Sequence, residues 1–124
     1  MCRYYVTEIK SMNKELKIFL LTFPLALGTL LIPSLFGDRP LVVVTLLFII
    51  SALMLAIDWN KRTLLLYFLV FATGPLAESV AIYFGAWDYT RPVFLGIPLW
   101  LPFVWGNSSL YIIRLKAVID LLLR

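Results

Sequence analysis

Histidine is absent, cysteine occurs once and charge is scarce, and each shortage removes a class of function. Without histidine there is no histidine-box iron site, no bis-histidine haem, no conventional zinc protease and no nucleophile activated by a histidine base. Neither a metal nor a cofactor is expected. Cys2 stands alone, so no internal disulfide forms and thiol content leaves the redox compartment open; outside a lipidation motif it reads as an inert terminal thiol rather than an acylation site. Charged residues make up only 15% of the 124, against 62% hydrophobic, and the mean hydropathy is +0.95. A soluble domain this small needs far more polar surface, which puts the chain in the membrane class with no room for a large extramembrane domain. The net charge of +4 does not indicate a nucleic-acid partner, because the basic residues flank hydrophobic runs and form no patch of their own.

What the chain has in abundance is apolar sequence. Four runs, Ile18 to Phe36, Leu41 to Trp59, Thr63 to Gly85 and Pro98 to Leu115, approach the roughly 20 helical residues that a hydrocarbon core requires. No strand alternation able to close a barrel interrupts them, so the expected fold is an all-α integral membrane four-helix bundle. The turns Gly37-Asp38-Arg39-Pro40 and Asn60-Lys61-Arg62 are short, which makes neighbouring helices antiparallel. Arg3, Lys10, Lys14, Lys17, Lys61, Arg62, Arg114, Lys116 and Arg124 fall on one side and only Arg39 and Arg91 on the other. Nine against two predicts a multi-pass cell-membrane protein with both termini cytoplasmic. Residues 1–17 mix charge with Tyr4, Tyr5, Val6, Ile9 and Leu16, as expected of a basic amphipathic segment at the interface or a loose basic tail. Residues 18–124 form the transmembrane domain. Met12 is a second candidate start, and cleavage of a signal peptide near Ala26-Leu27-Gly28 is not expected. Leu115 to Arg124 either extends the fourth helix or lies along the membrane.

Glu78 is the one acidic residue well inside a span, about 10 Å inward from Gly85 at the helical rise of 1.5 Å per residue. Inserting an ionisable group there costs on the order of 2 to 3 kcal/mol, so it is the lead candidate for catalysis. Its structural role, if it has no other, is a hydrogen bond to a neighbouring helix. Gly74-Pro75, one turn earlier, frees a backbone carbonyl and favours a kink. Ala77, Ala81 and Gly85 form a small-residue ridge on which another helix is expected to pack. Asn107 lies at similar depth and is expected to orient the acid, within a polar patch that adds Ser108, Ser109, Thr29 and Ser51. Asp58 is expected to pair with Lys61 or Arg62.

The connection from Tyr83 to Trp105 is dense in aromatics, with Pro92, Pro98, Pro102, Gly85 and Gly96 among them. Taken singly, Trp87, Tyr89 and Trp100 suit an interfacial belt. Together with Glu78 they suggest a lid over a lateral pocket, with Asp88 and Arg91 paired at its rim and Trp87, Tyr89, Trp100, Trp105 and Asn107 as substrate-binding residues. Glu78, Phe84-Gly85-x-Trp87-x-Tyr89-Thr90, Leu95-Gly96-Ile97-Pro98-Leu99 and Pro102-x-x-Trp105 resemble a segment of the carotenoid hydratases, membrane proteins related in style to the membrane lycopene cyclases. The resemblance covers residues 74–111, under a third of the chain, and Trp87 stands where that family usually has tyrosine. It implies hydration or cyclisation of a long isoprenoid polyene, with Glu78 as the acid and aromatics sheltering a carbocation. The chain is shorter than such enzymes, so the resemblance also implies a second copy or a partner subunit. The alternatives are a non-enzymatic membrane subunit and a small proton-coupled transporter; against the transporter stands the position of the glutamate, in the third span rather than the first.

Overall fold

The computed structural model describes residues 2–123 and consists of four helices: α1 (Cys2–Phe36), α2 (Pro40–Ile57), α3 (Lys61–Tyr83) and α4 (Leu101–Leu122). Among the described residues the single β-type pairing is an isolated bridge between Phe94 and Ile97. The all-helical architecture follows the apolar runs closely, and three helices, α1, α2 and α3, are long and apolar enough to cross a membrane. In α4 the run Gly106-Asn107-Ser108-Ser109 and the charges of Arg114, Lys116 and Asp120 dilute the apolar composition. Its position accounts for them. α4 packs against each of the other three helices, while α1 also packs on α2. Gly106, Asn107 and Ser109 are thereby buried against protein.

Two boundaries differ from the sequence expectation. Residues 2–17 are not a separate segment, because α1 runs without a break from Cys2 and carries Pro24 and Pro33 inside it; residue 1 lies outside the described residues. The fourth helix spans 101–122 rather than 98–115. Pro98 to Trp100 form the turn ahead of it, and Pro102 sits in the first helical turn, where its missing N–H leaves no bond unmade. Asn60 starts α3 by accepting a hydrogen bond from the Thr63 N–H at 2.9 Å.

The core gathers on the face of α2 that recurs every three to four residues, Val43, Leu47, Ile50 and Met54, joined by Tyr67 of α3 and Leu110 of α4. The α3–α4 seam is closed by two glycines that each receive an aromatic ring from the other helix. A methyl group on Gly74 would collide with the Trp105 ring, and one on Gly106 with the Tyr67 ring. The expected ridge of Ala77, Ala81 and Gly85 does not serve this purpose. Ala77 and Gly85 are exposed, and the space beside Gly85 is open. At the far end of the bundle Arg114 pairs with Asp58 at 2.5 Å and with Glu15 at 3.4 Å, tying α4 to α2 and α1. Asp58 is thus the partner of Arg114, and Lys61 and Arg62 remain exposed.

Candidate functional site

The α3–α4 connection folds back because its glycines allow it to. Gly85 takes φ +83° just past the end of α3, and a tight turn at 94–97 places Leu95 at φ +52° and Gly96 at φ +81°. The Ile97 N–H closes that turn on the Phe94 carbonyl at 3.0 Å. Gly96 lies so near Ile82 that a side chain there would push on it, which seats the turn on the end of α3. The other side of the connection is moored by Arg91, whose Nη1 donates to the Asp38 carbonyl in the α1–α2 turn at 2.6 Å. Arg91 therefore spends its charge on that backbone rather than on the rim pair expected with Asp88.

So folded, the connection brings Trp87, Tyr89 and Trp100 over the space between α1 and α3, with α4 behind. Half-buried Glu78 faces this space. The Tyr89 hydroxyl donates to its Oε1 at 2.6 Å, and the Trp105 indole N–H donates to its Oε2 at 2.5 Å. The Tyr89 ring stands edge-on to Trp100, 6.0 Å between centroids. Burial pushes the Tyr89 phenol well above its ordinary ionisation range, and the hydrogen bond to Glu78 and that residue's charge add to the rise, against a smaller lowering from Trp87. The phenol is held as a neutral O–H donor.

Glu78, Trp87, Tyr89, Trp100 and Trp105 line one cleft of about 510 Å³, together with Thr29, Leu30, Pro33 and Ser34 of α1 and Leu101, Val104 and Ser108 of α4. Glu78 is the one charged residue in that lining.

No family model, curated protein or solved structure matches the chain.

The cleft thus rests on its own geometry, which unites five of the six residues singled out from sequence. Asn107 is the exception. It is fully buried, is absent from the cleft lining and hydrogen-bonds to Ser51 and Thr29 rather than to Glu78. Ser51 donates to its Oδ1 at 2.6 Å, Tyr67 donates to the Ser51 hydroxyl at 2.8 Å, and the Asn107 amide donates to Thr29 at 3.2 Å. This string takes one residue from each of the four helices and contains no charge; it is a tie between helices. Of the hydroxyl residues expected around the acid, Thr29 and Ser108 do line the cleft, while the Ser108 and Ser109 hydroxyls donate to the carbonyls of Val104 and Gly106 in their own helix. Tyr67 is the member that sequence reasoning missed. Nothing in the linear chain pairs it with Ser51 or Gly106 before the helices meet. Among the described residues no three Asp, Glu or Cys side chains converge.

Proposed function

We propose that this chain is a four-span membrane protein with both termini cytoplasmic, and that its Glu78 cleft holds an unsaturated hydrophobic lipid of isoprenoid type and protonates it, leading to hydration or cyclisation. The observation that carries the reading is a single carboxyl group held by Tyr89 and Trp105 in an otherwise uncharged, aromatic-walled cleft. Protonation of a carbon–carbon double bond uses the π pair to form a C–H bond while the Glu78 O–H breaks. The cation left on carbon is favoured by the ring faces of the surrounding tryptophans. The carboxylate left on Glu78 is favoured by the two N–H and O–H donors already aimed at its oxygens. Water then adds to the cation, or a second double bond of the same chain attacks it, and the proton lost from the product passes to water, so that Glu78 takes up another before the next turnover. The cycle needs no cofactor.

The membrane placement is supported by lengths and charge. From Glu15, in the ion cluster, to Phe36 is about 32 Å at 1.5 Å per residue, close to the hydrocarbon thickness of about 30 Å. The basic residues crowd the end that carries Arg114. The test compares lipid extracts by mass spectrometry from an isoprenoid-producing host expressing the wild type, Glu78→Gln or nothing. A product heavier by one water, or an isomer, is expected with the wild type only, and Glu78→Gln should lose activity by about a hundredfold or more. Equal product from Glu78→Gln would sink the proposal. A second reading, a non-enzymatic subunit, is favoured by the uncovered α3 surface of Leu76, Ala77 and Val80. Absence of product in every extract, with stoichiometric co-purification of a membrane partner or a second copy, would favour it.

A further inference from the structure

We infer that Tyr89 is a proton relay: it joins Glu78 to a second, more polar cavity at the α1–α2 end of the molecule, so that the acid regains its proton from that side. The inference rests on the reading that Glu78 changes protonation state, but not on which molecule receives its proton. The second cavity measures about 360 Å³ and is lined by Asp38, Thr90 and Arg91, among others. It shares Pro33, Tyr89 and Trp100 with the Glu78 cleft, so these three residues are the partition between the two spaces.

Of the three, Tyr89 alone can pass a proton. Proline carries no N–H, and an indole only donates, whereas a phenol both donates and accepts. The same asymmetry acts at Glu78. Trp105 on Oε2 is a donor that cannot accept, which leaves Oε1, the oxygen bonded to Tyr89, as the one with a partner able to supply or take a proton. The other hydroxyl groups in the cleft are committed elsewhere. Thr29 donates to Leu25 and Ser34 to Leu30 on α1, and Ser108 donates to Val104 on α4. No Asp, Lys or Arg faces Glu78 from α1, α4 or the connection within this lining. In the relay step the Tyr89 O–H bond breaks as an O–H bond forms on Glu78 Oε1, while hydronium in the polar cavity gives a proton to the Tyr89 oxygen. The phenol ends neutral, as its raised ionisation range favours.

The test uses the full chain in proteoliposomes, with orientation read from an impermeant maleimide at Cys2, which is exposed at the opposite end. Dicyclohexylcarbodiimide reacts with protonated membrane carboxyl groups, and its adduct on Glu78 is measured by mass spectrometry after one compartment is acidified. In the wild type the adduct should appear when the compartment facing the α1–α2 turn is acidified, and not when the Cys2 side is. Tyr89→Phe keeps the ring but should slow labelling by about a hundredfold. Tyr89→Ala opens the partition to water and should restore it, an outcome that a merely structural role would not produce. Labelling of Tyr89→Phe at the wild-type rate, labelling that follows the Cys2 side, or a wild type that never labels would each overturn the relay. Correct labelling without any lipid product would instead overturn the acid-catalysis proposal and leave the relay standing.

Discussion

Leu95 sits at φ +52° beside Gly96 at φ +81°, the pair of positive angles that a type I′ turn demands of its two central residues. A leucine there carries about 1 kcal/mol of backbone strain, and its side chain is exposed, so little packing offsets it. Leu95→Asn should therefore raise the thermal midpoint in detergent; a fall would show that the leucine makes a contact worth more than the strain. Tyr89 makes a different prediction. Its phenol ionises later in the folded chain than in the unfolded one, for reasons of burial and of Glu78. As pH rises past the ordinary tyrosine value of about 10 the unfolded chain loses that proton first, so the folded state is fully favoured below that pH and loses stability above it. Tyr89→Phe should lack this part of the alkaline loss in a melting series, and identical series for the two proteins would contradict it. At this scale Glu78 and its aromatic neighbours were legible, because an acid inside an apolar run has a cost that needs an explanation. The hydrogen-bond partners were not legible, since Tyr89 and Trp105 lie 11 and 27 residues from Glu78 and converge only when the connection folds back.

Helix packing turns on the exchange of rings and glycines between α3 and α4. Gly74→Ala forces the Trp105 ring to move, which should cost about 1 to 3 kcal/mol and pull the indole N–H away from Glu78. Gly106→Ala displaces Tyr67 instead, at similar cost, and should leave the Trp105 contact in place. Melting curves check the first effect and tryptophan emission separates the two variants. Small residues at four-residue spacing pointed to Ala77, Ala81 and Gly85, while the close approach occurs at Gly74 and Gly106. Spacing identifies faces on which a neighbour can come near. It does not say which face meets a bulky ring on another helix, and that depends on the relative height of two helices joined by a connection of 17 residues, 84–100.

For the molecule as a whole, Arg114 anchors the end opposite the cleft by pairing with both Asp58 and Glu15. Arg114→Met should destabilise the bundle by about 2 kcal/mol, because it leaves two partly buried carboxylates without their cation. An unchanged melting midpoint would show that solvent replaces the pairing in full. The proposed topology predicts that Cys2 reacts with an impermeant maleimide only from the cytoplasmic face. The order of apolar runs and polar turns by itself determined the all-helical class and the approximate position of each helix, because an apolar run placed in lipid would have to satisfy its backbone within itself. It also determined that Glu78 is exceptional. Only the tertiary structure decided that α4 is the central helix, that Asn107 belongs to an inter-helix tie rather than to the acid, and that Asp58 answers to Arg114. Those outcomes depend on which side chains meet across helices, and a linear pattern of polarity specifies the face a residue occupies but not the residue it finds there.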